Sequence, residues 1–435
     1  MPQEMIITAI DLGTDKCVTL IAKQEPGQKN PSVLGVCAVP SKGMRRSQII
    51  DLEQVLETIN ESLDGAERMA GLEVKQAYLS VGGTHIASLN SKGVVAVASP
   101  EQEITAEDVN RVIEAARAIS MPSDKEIIHV IPNTYKVDSQ EGIKDPIGMT
   151  GIRLESETHI ITAMSTALKN IEKCVEDLGI GVSGFVFSGL AAAEVVLSET
   201  EKELGVALVD IGAGSSSICA YVDGALVYSA SIPIGARHIT QDIALGCRVS
   251  LDIAEKLKLQ LSQEKNTPMK PHPGESKQDF SKRCKKADEI DLSELTNGES
   301  TEVLSKDEII EGIMFPRMEE IFNLVNEKLS AQDLLHNIPA GVVLTGGGAE
   351  TVGIIEVAKD TLKLSARIGK PLELAGLTSD IQKPGYATSI GLLFYGRHEG
   401  GETINKSFAL PSFKLPGSPG KLISKILDLF KSLLP

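Results

Sequence analysis

The chain has no tryptophan, and aromatic residues make up only 3% of it. Proteins that hold single-stranded nucleic acid by stacking need aromatic platforms, so that class of function is not expected here. A cationic excess is also lacking: 43 Lys and Arg stand against 59 Asp and Glu, a net charge of −16. Such a surface repels phosphate backbones and anionic bilayers wherever it is not locally reversed, and no nucleic-acid partner is expected. The six cysteines, Cys17, Cys37, Cys174, Cys219, Cys247 and Cys284, show neither CxxC nor metal-ligand spacing. Several lie in apolar strand-like runs, where cysteine is a small core residue, and this usage suits a reducing cytoplasm. There is no run of about 20 apolar residues, as a bilayer-spanning helix requires. No basic segment precedes the first apolar strand, so a cleaved secretory signal is not expected. What remains is a chain of 435 residues, 42% hydrophobic and 23% charged. That is an ordinary globular composition, long enough for two or more domains.

Two acidic, glycine-rich turns recur far apart in this chain. Ile10-Asp11-Leu12-Gly13-Thr14 follows the apolar run Met5–Ala9, and Asp210-Ile211-Gly212-Ala213-Gly214-Ser215-Ser216 follows Gly205–Val209. Each reads as strand, tight turn, second strand. Turn glycines let backbone N–H groups approach an anion with no Cβ in the way. The leading Asp can hold a hydrated divalent cation, since hard metals take oxygen ligands and keep waters. One such turn is a common hairpin, but two in the same strand context indicate an internal duplication, and facing each other they would clamp the phosphates of one nucleotide. A third element, Gly341-Val342-Val343-Leu344-Thr345-Gly346-Gly347-Gly348-Ala349, is a buried strand running into three glycines before a helix expected over 351–364. A glycine turn at a strand end that opens a helix is where a nucleotide can lie against bare backbone.

The periodicity predicts β-β-β-α-β over 5–80, with the helix at 52–69 and a strand at 77–81. That rhythm breaks over 84–162, where Thr105 caps a helix with Asp108 in a capping-box position, among short strands at 127–130, 133–138 and 157–163. A helix at 166–178, a strand at 182–188 and a helix at 190–199 resume the first pattern. From Gly205 the β-β-β-α order repeats, with a strand at 226–232 and helices at 236–245 and 250–261. Residues 263–303 are polar and read as irregular rather than core, and 306–329 reads as one long helix. A linker rich in Gly, Pro and Ser occupies 399–420.

Beyond it, Leu422, Ile423, Ile426, Leu427, Leu429, Phe430, Leu433 and Leu434 recur with a period near 3.6, opposite Lys421, Lys425, Asp428, Lys431 and Ser432. A helix of about 14 residues is roughly 21 Å long, too short to span a bilayer. Its wide apolar face, its lysines and its tether mark an interfacial helix for an anionic leaflet. A helix docked on the protein's own core or in a partner's groove has the same pattern.

Together the paired turns, the Thr-Gly-Gly-Gly strand end and the inserted unit resemble the actin-like ATPase superfamily and, within it, the bacterial cell-division family FtsA. His129-Val130-Ile131-Pro132, Tyr135–Asp138, the stretch from Gln140 to Gly151, Val342–Ala349 and the tethered tail carry the resemblance, which covers essentially the whole chain. It implies an α/β fold of two actin-like, ribonuclease-H-type domains flanking a cleft. The first core would be 1–83 and 163–200 with part of 384–398, and the inserted α+β subdomain 84–162. The second core would be 201–235 and 331–383, the smaller nucleotide-side subdomain 236–330, then the linker 399–420 and the membrane helix 421–435. It implies ATP and Mg²⁺ as ligands. Asp11, Gly13, Thr14 and Lys16 would form the first phosphate loop. Asp210, Gly212, Gly214, Ser215 and Ser216 would form the second. Gly346, Gly347 and Gly348 would form the adenosine motif, with Asp11 and Asp210 orienting Mg²⁺ through waters. Glu255 and Lys258 match a pair that reaches ribose and adenine in relatives, although their spacing is equally that of a surface ion pair. The implied partners are the FtsZ C-terminal peptide near Arg317, further copies in a filament, later division proteins, and the cytoplasmic face of the inner membrane. Leu422, Ile423, Lys425, Ile426, Leu427, Leu429, Phe430, Lys431, Leu433 and Leu434 would make the membrane contact.

One departure bears on chemistry. ATP-hydrolysing relatives place a Glu or Gln at the start of the helix that connects the halves, to orient the attacking water. Here the segment reads Phe187-Ser188-Gly189-Leu190-Ala191. Phosphoryl transfer needs an oriented nucleophile, so slow hydrolysis is expected. A small-molecule kinase on the same fold would need a carboxylate base in the cleft, and no matching motif is present. A pilus-assembly actin homologue would share the inserted unit but not the tail.

Overall fold

The computed structural model describes residues 4–28, 30–97, 103–263, 272, 275–292, 303–377 and 380–401. The linker from 402 onward and the amphipathic segment 421–435, including all the expected membrane residues, lie outside the described residues.

Strands β1 (Met5–Leu12), β2 (Lys16–Gln24) and β3 (Ser32–Pro40) open the chain as an antiparallel meander. A short hairpin follows, β4 (Met44–Arg45) and β5 (Gln48–Ile49), with Arg46 and Ser47 at its tip at φ 49° and 58°. Helix α1 (Leu52–Ala70) starts at Asp51, whose carboxylate accepts the N–H groups of Glu53 and Gln54. A cap of this kind contributes about 1 kcal/mol. Val55, Ile59, Leu63 and Ala66 are the face α1 buries. Strand β6 (Gln76–Val81) then returns parallel to β1.

The inserted unit comprises β7 (Ala87–Ala96), α2 (Ala106–Arg117), β8 (Lys125–Val137), β9 (Gln140–Ile143) and β10 (Arg153–Met164), with sheet order β7-β10-β8-β9. It has its own small core around Val112, Tyr135, Val137 and Leu154. Thr105 and Asp108 make the expected capping box. The two strands expected at 127–130 and 133–138 are one, because the ladder shifts register beside Pro132. A bulge is where a strand tolerates a residue with no N–H. Strand β7 was not foreseen. It docks on the other half of the molecule through Ser88 Oγ, which donates to Ser229 O at 2.7 Å, and Asn90 Nδ2, which donates to Val227 O at 3.1 Å. His159 is enclosed at this seam, 2.6 Å from Asn90 Oδ1 and 3.0 Å from Ser229 Oγ.

Helix α3 (Ser165–Glu176), β11 (Gly181–Phe187), α4 (Ser188–Val196) and α5 (Glu199–Leu204) complete the first half. The second half repeats its logic with β12 (Val206–Ile211), β13 (Ser216–Val222), β14 (Ala225–Ile232), α6 (Ala236–Gly246) and α7 (Leu251–Gln263). The polar segment is partly built: α8 (Lys277–Asp288) leads into a ribbon of β15 (Glu289–Asp291) and β16 (Val303–Ser305). Ile290 and Leu292 are buried against the second core, so a few apolar side chains suffice to fix this piece. The long helix expected over 306–329 is three pieces: α9 (Lys306–Ile309), a π-helical turn (Ile310–Met314) and α10 (Phe315–Ser330). Pro316 lies just after the widened turn, and a proline ring clashes with the carbonyl four residues back unless the helix opens there.

Strand β17 (Val342–Thr345), a 3₁₀ turn (Gly347–Glu350), α11 (Ile354–Leu362), β18 (Ala366–Ile368), β19 (Ala375–Gly376) and α12 (Ala387–Gly401) finish the chain. The helix expected from Thr351 starts three residues later, because the turn comes first. The sheets run β11-β6-β1-β2-β3-β19 and β14-β13-β12-β17-β18. In each, the first strand of the meander pairs antiparallel with the second and parallel with a later strand, and the second pairs antiparallel with the third. Strands β1 and β12 are therefore equivalent, and their ends carry the two acidic turns.

Candidate functional site

Asp11 pairs with Val18 and Asp210 with Ser217, each one residue before the end of its strand's ladder. The same bond closes both turns: Gly13 N–H donates to Lys16 O at 3.0 Å, and Gly212 N–H to Ser215 O at 3.1 Å. The turns also touch. A Cβ on Gly214 would lie 2.7 Å from Thr14 Oγ1 and 2.9 Å from Arg46 Cα, so the halves meet here nearly backbone to backbone.

Both carboxylates are half-buried at the ends of densely packed strands. Ser80 Oγ donates to Asp11 Oδ1 at 2.7 Å, and Thr388 Oγ1 donates to Asp210 Oδ2 at 3.1 Å. Burial raises the Asp11 carboxyl above its ordinary range, and the Ser80 bond and the Lys16 charge partly offset it. Asp210 is pushed up to about 7, first by burial and then by the charge of Asp11. Two carboxylates held close in this way resist ionising together, a condition that a cation relieves. The Lys16 ammonium, itself shifted down by burial, sits 3.5 Å above the Tyr386 ring.

The third glycine element reaches the same place. Gly346 has φ 82°, and a Cβ there would collide with the Asp210 carboxylate and the Ile211 carbonyl. Gly347 is exposed with open space around it, while Gly348 is buried against Ile211. Gly347 thus offers open backbone, Gly346 lets the chain pass against Asp210 while its N–H donates to Pro384 O at 3.2 Å, and Gly348 serves packing.

Some expected site residues have partners within the protein. The Ser216 hydroxyl is fully buried and donates to Ile234 O at 2.8 Å, so its side chain is spent inside the second half. Glu255 and Lys258 form a 2.8 Å ion pair, and both bond Thr240 of α6. Lys258 is buried, which a surface i,i+3 pair would not be, so the pair braces α6 against α7. Arg317 is not a free cation: its guanidinium bonds Asp242 at 2.5 and 3.0 Å and also bonds Glu320. Four residues were missed from sequence: Ser47, Ser80, Tyr386 and Thr388. The Pro384-Gly385 pair before α12 was a turn signal that could have drawn attention to the last two. At the start of α4, Ser188 Oγ lies 3.0 Å from Ser217 Oγ, and Glu194 pairs with Lys202 at 3.8 Å.

A family model for the SHS2 domain inserted in FtsA matches residues 83–162, and one for cell division protein FtsA matches 207–391. Cell division protein FtsA of Pseudomonas aeruginosa is 34% identical over 409 residues, covering 94% of this chain and 93% of that protein. This chain belongs to the FtsA family of cell division proteins. FtsA of Escherichia coli K12 is 35% identical over 91% of the chain and 92% of its own length, and FtsA of Bacillus subtilis is 34% identical over 90% and 84%. Among solved structures, a PilM–PilN type IV pilus biogenesis complex matches with TM-score 0.58 at 15% identity, over 90% of this chain and 98% of that one. MreB5 of Spiroplasma citri bound to ADP matches with TM-score 0.52 at 14% identity, over 92% and 97%. These likenesses establish the actin-like fold for this FtsA family member, with the SHS2 unit as its insertion.

Proposed function

We propose that this protein is an ATP-binding, actin-like scaffold that polymerises on the inner membrane, tethers FtsZ filaments there and recruits later division proteins. The observation that carries the nucleotide reading is the pair of identically closed turns, each led by a carboxylate and in contact with the other. Actin-like neighbours bound to ADP and to AMPPNP support the same ligand class. Asp11 and Asp210 would hold Mg²⁺ through waters. Among the described residues no group of three or more His, Cys, Asp or Glu could bind a metal alone. The cation would therefore complete its shell with water and phosphate oxygens, as Mg²⁺ does.

Lys16, Gly13, Thr14, Gly212, Gly214 and Ser215 would face the phosphates, and Gly346 and Gly347 the nucleoside. Lys16 would leave Tyr386 for the phosphates, exchanging a cation–π contact for a charge-assisted bond. Glu255 and Lys258 would meet the ribose and adenine side from the α6–α7 brace. With Ser188 where relatives carry a Glu or Gln, hydrolysis is slow and ATP acts as an assembly ligand. The acidic C-terminal peptide of FtsZ would compete with Asp242 and Glu320 for Arg317.

No helix among the described residues is long and apolar enough to cross a membrane. Membrane attachment is assigned to the amphipathic segment 421–435. Anionic liposomes should pellet the full chain with ATP and Mg²⁺ and leave a version ending at Gly420 in solution. Equal pelleting of the two would sink the membrane part of the reading.

A further inference from the structure

Ser47, at the tip of the β4–β5 hairpin, touches both acidic turns at once. Its N–H donates to Thr14 Oγ1 at 2.9 Å, and its hydroxyl lies 2.7 Å from Ser215 Oγ. Arg46 beside it backs onto Gly214, and Gly83 lies against the other side of the tip, where a Cβ would meet Arg46 O at 3.2 Å and Ser47 Cβ at 3.3 Å. Arg46 and Ser47 both occupy the left-handed region, which residues other than glycine avoid unless their surroundings hold them there. The tip is thus clamped between the second turn and Gly83, the residue at which the SHS2 match begins.

We propose that Ser47 is a positioning residue for the terminal phosphate, so that the hairpin distinguishes a nucleoside triphosphate from a diphosphate. This rests on reading the cleft as a nucleotide site. Among the described residues the Ser47 and Ser215 hydroxyls bond each other, and a phosphate oxygen is a stronger acceptor that can take a hydrogen bond from both. A triphosphate opens the bridge between hairpin and second turn, and a diphosphate leaves it intact. The hairpin lies against Gly83, so the change is passed to the base of the inserted unit.

The test is titration of the full chain and its Ser47→Ala and Ser47→Gly variants with Mg²⁺-ATP and Mg²⁺-ADP. Loss of one hydrogen bond to a charged oxygen should weaken ATP binding by S47A about tenfold or more. ADP binding should stay within about twofold, since that ligand leaves the hydroxyl untouched, and S47G, which removes the hydroxyl while suiting the positive φ, should show the same loss for ATP alone. Equal losses for ATP and ADP would make Ser47 a merely structural residue and overturn the proposal, as would no loss for either. A wild-type chain that binds neither nucleotide would overturn the nucleotide reading itself, a result distinct from any pattern among the variants.

Discussion

Replacing Asp210 by Asn should stabilise the ligand-free protein while abolishing the site's affinity for Mg²⁺-nucleotide. The Asp210 carboxyl titrates at about 7 in the folded chain against an ordinary 3.8. Between those values the folded state holds a proton that the unfolded state has released, so stability falls as pH rises from about 4 to about 7. Above that window the ionised group costs the fold about 3 pKa units, or roughly 4 kcal/mol, and the solvent that reaches the half-buried carboxylate trims this to about 2–4 kcal/mol. Asn keeps an oxygen for the Thr388 hydroxyl and carries no charge. With an unfolding entropy of about 2.1 cal/mol/K per residue, D210N should raise Tm by about 2–4 °C at pH 8. At pH 4 the difference should shrink to under about 1 kcal/mol, because the folded carboxyl is then protonated and the unfolded one only about half ionised. Thermal unfolding at the two pH values, repeated with urea, is the assay. A D210N protein less stable than wild type at pH 8, or equally shifted at both pH values, would refute the desolvated, like-charged site described here.

His159 is held neutral by burial, its pKa pushed down to about 4 from 6.5. The unfolded chain therefore takes up a proton that the folded chain refuses, and the contribution of His159 to stability should drop by about 2–3 kcal/mol as pH falls from 6.5 to 4, against the opposite contribution of Asp210. H159Q should remove that contribution, so that stability falls less, or rises more, on acidification than in the wild type, and an unchanged slope would contradict the assignment. Gly346→Ala should cost about 2 kcal/mol or more, since it strains a residue at φ 82° and presses on Asp210, and urea unfolding would measure it. Arg317→Glu should weaken binding of an acidic FtsZ-derived peptide by about tenfold or more in a fluorescence titration and leave nucleotide affinity intact. Unchanged peptide affinity would remove Arg317 from that surface.

The acidic turns were legible because each is a local pattern, an apolar strand ended by Asp-x-Gly, and because it occurs twice. The insertion was legible as a break in rhythm near Gly83. The β4–β5 hairpin was not: its strands are two residues each, and Arg46-Ser47 is not the Asn-Gly or Asp-Gly pair that announces a two-residue turn. Ser80 and Thr388 bond carboxylates 69 and 178 residues away, and a hydroxyl at the end of an apolar run has no sequence signal that says which distant acid it will meet. Ser216 and Gly348 looked like site residues because their motifs run on past the cleft, yet strand alternation and packing turn them inward. The polar stretch after α7 read as irregular because its few apolar anchors, Ile290 and Leu292, are too sparse to show a period.

The central claim is that Asp11 and Asp210 jointly bring a magnesium nucleotide between the two turns. Isothermal titration of the full chain with ATP, with and without Mg²⁺, tests it most directly. One site per chain is expected, dependent on Mg²⁺ and lost in both Asp11→Asn and Asp210→Asn. Binding that ignores Mg²⁺, or that survives both substitutions, would contradict it.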